Sequence, residues 1–247
     1  MATRLFHISD VHFGVENRAA LAAVARAVAD ERPDAVVCTG DLTQRAKHSE
    51  YAAAKRWFAG LGVPVVLQPG NHDMPYYNPW ERFADPFRRY RGLERAVASV
   101  FESPDVVLVP LLTTVPAQWR FPWSDGVIKP PALAETVAAL EALKGDRRHK
   151  VVIAHHPLLG PKDDGTNPTI GGDAAFATLA AAGAEAALSG HIHVPIDEVR
   201  TRGGKPMRMI GAGTLSTRLR HGAPPSYRVI TATRGGALTS ELRVIEG

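Results

Sequence analysis

The sequence is poor in cysteine and contains no long hydrophobic run. Cys38 is the one cysteine in 247 residues, which excludes a framework of disulfides within the chain. No apolar run approaches the roughly 20 residues that span a bilayer. The first residues enter a strand-like pattern without the basic start and apolar centre of a signal peptide. We therefore expect a cytoplasmic protein that has no membrane partner.

The sequence also has only a small net charge. Lysine and arginine total 29 and aspartate and glutamate 25, which gives a formal charge of +4. This balance favours anionic substrates in general but does not indicate a nucleic-acid groove, so nucleic acid is not an expected partner. The chain is 45% hydrophobic and 22% charged, which is ordinary for a globular protein of this length. We predict one domain over residues 1–247.

The element pattern alternates strands and helices. A strand at residues 3–9 precedes a helix capped by Asn17, and a second strand precedes a helix capped by Ser49. Such a repeat predicts an α/β fold with parallel strands and right-handed crossovers. A polar, glycine-rich loop at 160–172 includes Asp163 and Asp164, which suit a loop better than a site. After residue 194, two hairpins predict an antiparallel last third that forms the second sheet.

Residues 74–104 interrupt this alternation. The segment begins with turn-forming and aromatic residues and continues with one or two short amphipathic helices. We predict that it is a lid or an insertion. Tyr76, Tyr77 and Trp80 are expected to pack within this lid, with stacking on a nucleobase or another leaving group as the alternative.

Polar clusters follow five of the apolar runs. In an α/β sheet the loops that leave the carboxyl ends of strands meet along one edge, so these clusters are expected to converge. Carboxylates, imidazoles and one amide oxygen suit Mn, Fe, Zn or Co better than a dedicated calcium site. The clusters are Asp10-Val11-His12, Gly40-Asp41, Gly70-Asn71-His72-Asp73, His155-His156 and Gly190-His191-Ile192-His193.

With all five blocks in this order, the chain resembles the calcineurin-like metallophosphoesterases. Within that superfamily it is most similar to the class III cyclic nucleotide phosphodiesterase branch, through residues 40–45, 69–73 and 213–218. The resemblance implies a four-layer α-β-β-α sandwich in which two mixed sheets are flanked by helices. It also implies a binuclear centre of two divalent transition metal ions, which would generate a hydroxide nucleophile for attack at phosphorus.

The resemblance assigns roles to single residues. One metal would be held by Asp10, His12 and His193, and the other by Asn71, His155 and His191, with Asp41 bridging the two. His72 would act as a general acid or donate to a phosphoryl oxygen.

Other residues near these motifs have less definite roles. Gln44 stands where protein phosphatases of this superfamily carry an aspartate, which argues against their mechanism and leaves the partner of His72 open. Arg45 would complement phosphate charge or lie on the surface. Arg218 lies in a predicted loop of the second sheet and is a candidate to reach the substrate. Asp73 is expected to support its own turn, and His156 to lie beside the metals without binding them.

The favoured function is that of a metal-dependent phosphodiesterase for small phosphodiesters, such as cyclic nucleotides. A DNA nuclease is a weaker alternative, because the chain has Leu42-Thr43-Gln44 where those relatives typically carry a histidine. A lipid-headgroup pyrophosphatase would need an extended apolar lid, whereas residues 74–104 are rich in arginine and proline. A non-catalytic scaffold would normally have lost ligands, and none is missing here. Dimers occur in the class III phosphodiesterase branch that this chain resembles, so we predict a homodimer.

Overall fold

The first sheet is mixed and contains both ends of the chain. The computed structural model describes residues 2–160 and 169–246. In spatial order its strands are Leu238–Val244 (β12), Ser226–Ala232 (β11), Thr3–Ile8 (β1), Ala35–Cys38 (β2) and Val65–Leu67 (β3). β1, β2 and β3 run parallel, whereas β11 pairs antiparallel with both β1 and β12.

The second sheet takes its strands from the middle of the chain. Four of its five strands are parallel, and the edge strand Ile196–Arg202 (β9) is antiparallel to its neighbour Lys205–Gly211 (β10). A separate parallel pair is formed by Gly126–Val127 (β5) and Thr169–Ile170 (β7). The sheet order is Val106–Pro110 (β4), His149–Ile153 (β6), Ala186–Ser189 (β8), Lys205–Gly211 (β10) and Ile196–Arg202 (β9).

Helices cover the outer face of each sheet. Among the described residues, none of these helices is long and apolar enough to cross a membrane. A single turn of 3-10 helix at Asn71–Asp73 follows β3. The α-helices are Arg18–Glu31 (α1), His48–Ala59 (α2), Pro79–Ala84 (α3), Arg88–Val97 (α4), Pro130–Ala142 (α5) and Gly172–Ala181 (α6).

Alternation along the central strands divides the buried residues into three layers. Phe6 and Ile8 of β1 pack with α1, α2 and α4, while Leu5 packs with residues of the second sheet. On β6, Val152 packs with α5 and α6, and Val151 joins the layer between the sheets. Because successive strand residues point to opposite faces, one strand supplies both layers. The predicted four-layer sandwich is confirmed.

The expectation that the last third forms the second sheet by itself is wrong. The β9–β10 hairpin extends the second sheet through β8, and the β11–β12 hairpin extends the first sheet through β1. Residues 212–225 connect the two sheets, so Arg218 lies in this connection and not in a loop of the second sheet. A hairpin pattern identifies paired strands, but it does not say which sheet edge receives them.

The cap of α1 is confirmed, and the predicted cap of α2 is wrong. Asn17 Oδ1 accepts a hydrogen bond from the backbone nitrogen of Ala20 at 3.1 Å. In α2 the helix already includes His48 and Ser49. The Glu50 carboxylate accepts from the backbone nitrogens of Arg45 and Lys47 at 2.8 and 3.2 Å. The helix thus begins two residues earlier than predicted, with Lys47 at the N-cap and the Glu50 side chain accepting from the Lys47 backbone nitrogen, as in the acidic half of a capping box.

The segment at 74–104 contains two helices, α3 and α4, as predicted. Tyr90 and Leu93 of α4 join the apolar layer that covers the first sheet. The expected packing of its aromatic residues is wrong, because Tyr76, Tyr77 and Trp80 are 63%, 65% and 86% exposed. Its action as a lid stays a prediction. Asp163 and Asp164 lie outside the described residues.

Candidate metal centre

The five polar clusters converge on one edge of the two sheets. They occupy the loops after β1, β2, β3, β6 and β8, each at the carboxyl end of its strand. Ligating side chains from both sheets therefore reach the same space, as the sequence pattern predicts.

The backbone in these loops adopts an unusual conformation. Among the described residues, eight non-glycine residues have positive φ, and five of them are Asp10, His12, Asp41, His191 and His193. Their φ values lie between 49° and 70°. Left-handed backbone is disfavoured for residues with a Cβ atom, and it concentrates at sites where function fixes the geometry.

Close backbone approach requires two of the neighbouring glycines. A Cβ atom on Gly70 would lie 2.1 Å from Asp41 Oδ1, and one on Gly190 would lie 1.7 Å from Ser9 Oγ. Neither contact is sterically allowed, so any larger residue would displace the loops that carry the clusters. Gly70 and Gly190 are therefore needed because these positions have no room for a side chain.

The first group of candidate ligands contains Asp10, His12 and His193, all buried. His193 Nδ1 donates to the carbonyl oxygen of Arg218 at 2.6 Å. In the neutral ring, the Nε2 lone pair therefore points inward, 3.2 Å from both His12 Nε2 and Asp10 Oδ1. Donation from the second ring nitrogen to a carbonyl is the usual arrangement of metal-binding histidines.

The second group contains Asn71, His155 and His191. His155 Nδ1 donates to the carbonyl oxygen of Thr39 at 2.8 Å. Its Nε2 then lies 3.1 Å from Asn71 Oδ1. The His191 and His155 ring centroids are 5.3 Å apart. An amide oxygen and an imidazole nitrogen again converge through their lone pairs.

Asp41 lies between the two groups. Its Oδ2 is 3.5 Å from His12 Nε2 in the first group, and its Oδ1 is 3.5 Å from His155 Nε2 in the second. A carboxylate is the side chain that can present one oxygen to each of two cations. Asp41 thus presents one oxygen to each group, and its role as a bridging ligand stays a prediction.

The donor set fits divalent metal ions. Within the part of the chain that the structure describes, the buried Asp10 Oδ1 has no hydrogen-bond partner, which is costly for an atom of this kind. Lone pairs that face each other at about 3 Å also repel unless a proton or a cation lies between them. Imidazole, carboxylate and amide ligands in this number suit a pair of Mn, Fe, Zn or Co ions.

Burial and neighbouring charges perturb the titration of these groups. Burial disfavours the Asp41 carboxylate, but charges on His155, His72 and His12 hold its pKa well below the usual range. Burial lowers the pKa of His12 to about 3, despite the opposing charge of Asp41. Burial alone would also lower the pKa of His155, which the Asp41 carboxylate raises to about 9. The charge of Asp41 thus affects the pKa values of histidines in both groups, and their charges affect the pKa of Asp41.

His156 is placed beside the centre with both ring nitrogens engaged. His156 Nε2 donates to the carbonyl oxygen of Ser124 at 2.9 Å, and the Thr113 hydroxyl donates to His156 Nδ1 at 2.9 Å. His156 lies near enough to His155 and His191 to form a three-residue cluster. Because no lone pair is left over, the geometry favours the predicted supporting role.

His72 faces the centre from the turn after β3. His72 Nδ1 donates to the backbone carbonyl of Gln44 at 2.7 Å, and its backbone nitrogen donates to Asp41 Oδ1 at 2.8 Å. Arg218 Nη1 donates to His72 Nε2 at 3.0 Å. The partner that sequence reasoning left open is thus a backbone atom of Gln44. The candidate substrate-binding residue Arg218 lies directly at the candidate general acid.

Asp73 supports the turn, as predicted. Its Oδ2 accepts from the backbone nitrogens of Gly70 and Leu42, and its Oδ1 accepts from the backbone nitrogen and hydroxyl of Thr43. Burial, followed by the charge of Asp41, raises the pKa of Asp73 to about 7. Asp73 therefore joins the loops after β2 and β3 and leaves no oxygen for a metal.

The remaining candidates form a small group at the rim. Arg45 Nη1 donates to the Tyr77 hydroxyl at 2.8 Å, and its guanidinium lies 4.8 Å from the centre of the Tyr76 ring. Tyr76 also lines a cavity of about 820 Å³ that opens beside Asn71 and His72. A second wall comes from residues 116–119, 123 and 124. The sequence analysis did not predict this wall. The alternating aromatic residues Trp119, Phe121 and Trp123 are the pattern that could have indicated it.

Two curated proteins are similar to this chain over part of their length. The chain is 38% identical over 80 residues to the glycerophosphodiester phosphodiesterase GpdQ of Enterobacter lignolyticus (strain SCF1), a match covering 28% of this chain and 29% of that protein. It is 27% identical over 168 residues to the probable cyclic nucleotide phosphodiesterase PSM_A2567 of Pseudoalteromonas sp. (strain SM9913), covering 63% and 57% of the two chains. The chain thus spans less than two-thirds of the length of these relatives.

Solved structures show the same fold. A dimetal phosphatase from Danio rerio superposes with a TM-score of 0.63 at 15% identity, covering 98% of this chain and 96% of that one. At this identity the likeness concerns the fold alone. The sequence model of the calcineurin-like phosphoesterases matches residues 3–195. Since that match covers more than half of the sequence, the resemblance is confirmed and the chain belongs to the calcineurin-like phosphoesterase family.

Proposed function

We propose that the protein is a metal-dependent phosphodiesterase that hydrolyses small phosphodiesters, such as cyclic nucleotides, with two metal ions. The observation that carries this proposal is the position of Asp41, whose two oxygens face the two ligand groups at 3.5 Å each. Asp10, His12 and His193 would hold one ion, and Asn71, His155 and His191 the other. A cytoplasmic location and a homodimer stay predictions.

The metal pair and His72 have separate tasks in this proposal. When bound, two divalent ions supply positive charge to the phosphoryl group and a nucleophilic hydroxide at neutral pH. His72, once Arg218 turns to the phosphoryl group and Nε2 takes up a proton, would give that proton to the oxygen of the departing alcohol. The Gln44 carbonyl fixes the ring by accepting from Nδ1, so that Nε2 faces the site.

Arg218 would bind the phosphate and order His72. Its guanidinium donates to His72 Nε2 and lies 3.4 Å from the side-chain oxygen of Gln44. It is half-buried, and burial lowers its pKa from the ordinary arginine value. A half-buried guanidinium beside His72 suits a phosphoryl oxygen.

The names of two relatives support a diester substrate. One is a glycerophosphodiester phosphodiesterase and the other a probable cyclic nucleotide phosphodiesterase. Both names describe cleavage of a phosphate that carries two ester bonds. The substrate class of this chain is proposed on that common feature.

The test combines a substrate profile with two ligand variants. Manganese-loaded protein is expected to cleave an aryl diester and cyclic nucleotides with higher kcat/KM than an aryl monoester or single-stranded DNA. Asp41→Ala and Asn71→Ala are expected to abolish metal-stimulated hydrolysis, because each removes a ligand. Asp30→Ala, which changes an exposed residue on α1, is the matched control and should retain full activity. Undiminished hydrolysis by purified Asp41→Ala would sink the assignment.

A further inference from the structure

The cavity beside the metal centre has two aromatic walls. One wall contains Tyr76 and Phe83 from the 74–104 segment, and the other contains Trp119 and Trp123 from the 116–124 loop. These side chains are 63%, 64%, 103% and 78% exposed. Large aromatic side chains are seldom left exposed together, and such clusters commonly mark binding surfaces. The walls have the chemistry of a site for a flat apolar group.

The walls are fixed to each other and to the centre. Arg82 Nε in α3 donates to the carbonyl oxygen of Pro116 at 2.8 Å, which ties the two walls together. At the far end of the loop, the Ser124 carbonyl accepts from His156 Nε2 at 2.9 Å. Because His156 is next to His155, the Trp119 and Trp123 wall is attached to the second ligand group. A substrate bound at the centre would thus meet this wall in a defined position.

The cavity lies on one side of the centre only. His72 and Asn71 border it, whereas Asp10, His12 and His193 do not. His72 is the proposed acid for the departing oxygen. A group that fills the cavity would therefore be attached to that oxygen and not to the part of the substrate that keeps the phosphate.

We infer that the cavity selects phosphodiesters whose leaving alcohol carries a bulky aromatic group, an inference that rests on the proposed function. Water adds to phosphorus, and the bond from phosphorus to the oxygen of the aromatic alcohol breaks. That oxygen takes the proton of His72 protonated at Nε2, after Arg218 has turned from Nε2 to a phosphoryl oxygen. The attacking water gives one proton to solvent, and His72 takes a proton back from solvent. The products are the aromatic alcohol and the phosphate monoester of the smaller group.

An unsymmetric substrate tests the direction of cleavage. In naphthylethyl ethyl phosphate the two leaving alkoxides have similar basicity, so chemistry alone does not choose between them. Metal-loaded protein is expected to release naphthylethanol and ethyl phosphate with a preference of at least about tenfold, the value of one or two apolar contacts. Release of ethanol and naphthylethyl phosphate at an equal or higher rate would overturn the inference.

Binding gives a second readout that does not depend on turnover. Isothermal titration with a non-hydrolysable naphthylethyl phosphonate ester and its ethyl counterpart should show a Kd ratio of about tenfold or more. A cyclohexylethyl analogue distinguishes an aromatic site from a merely apolar one. The naphthyl analogue should bind more tightly than the cyclohexyl analogue, and equal affinity would contradict the aromatic assignment.

Three tryptophan variants locate the effect. Trp119→Ala and Trp123→Ala are expected to reduce the naphthyl preference by about tenfold each. Trp80→Ala is the matched control, because Trp80 is 86% exposed on α3 but is not among the described residues that line the cavity. It should keep the preference unchanged. An equal loss in all three variants would contradict the inference.

The outcome also separates this inference from the proposed function. If the wild-type protein cleaves no diester at all, the proposed function is wrong. If it cleaves an aryl diester but shows neither the preference nor the Kd ratio, the function stands and the aromatic site does not exist.

Discussion

Asp41 shows how single residues are prepared for their position in this protein. Its backbone is left-handed, with φ of 52°, and Gly70 leaves room for its carboxylate. The His72 backbone nitrogen donates to the same carboxylate. The room left by Gly70 and the hydrogen bond from the His72 backbone thus hold the Asp41 carboxylate between the two groups of candidate ligands. Strain of this kind persists only where the surrounding structure overdetermines it.

His72 should matter most when the departing alcohol is a poor leaving group. His72→Ala is expected to lower kcat by about 100-fold or more for an alkyl diester, since general-acid catalysis is worth that much. The loss should be small for a nitrophenyl diester, whose leaving group departs without a proton. Steady-state kinetics with both substrates measures the difference, and His48→Ala, on an exposed residue of α2, is the control. An equal loss on both substrates would assign His72 to positioning instead.

The site residues that could be predicted from the sequence are those whose residue type itself indicates metal binding. Five clusters of aspartate, asparagine and histidine are recognisable because such residues seldom follow apolar runs in order. The Gln44 carbonyl that holds His72 could not be predicted, because every residue type has a carbonyl. Its contact depends on how the loop after β2 folds back to the turn after β3.

Strand β1 illustrates the behaviour of a whole element. It lies between β2 and β11, and helices and the second sheet cover its two faces. His7 is therefore completely buried, with Thr39 as its partner at Nε2 and, within residues 2–160 and 169–246, no partner at Nδ1. Burial and then the neighbouring Arg228 lower the pKa of His7 from 6.5 to about 3, against the opposing charge of Asp10.

This buried histidine predicts a loss of stability in mild acid. Between about pH 6.5 and pH 3 the unfolded chain binds a proton at this residue and the folded chain does not, so acid favours unfolding. The loss from this one group is about 2 kcal/mol between pH 7.5 and pH 5. His7→Gln should remove that part of the pH dependence, measured as the change in Tm between the two pH values. His48→Gln should not, and an unaltered pH profile in His7→Gln would refute the account.

Most elements were predictable, and the failures have a common cause. The helix and strand pattern gave α1 and the order of the central strands, because local periodicity determines both. The partner strands of the two hairpins and the aromatic wall at 116–124 were not predicted. Each depends on which distant segment lies next to the element, and Trp119 carries no sign that Phe83 lines the same cavity.

At the scale of the whole molecule, two sheets placed face to face bring five loops to one edge. The layer between them includes Leu5, Val37, Val151 and Leu188, whose strands lead to the four loops bearing aspartate or histidine ligands. Packing in this layer sets the distance between the two groups of ligands. The fold thus acts as the support that lets Asp41 face both groups at the same time.

The number of transition metal ions bound per chain tests this account most directly. Protein reloaded with manganese and freed of excess metal should contain about two ions per chain by elemental mass spectrometry, the number that a two-metal site requires. Asp41→Ala should lose most of this metal, while Asp30→Ala should keep it. A value of about one ion or fewer in the reloaded wild-type protein would contradict a binuclear centre.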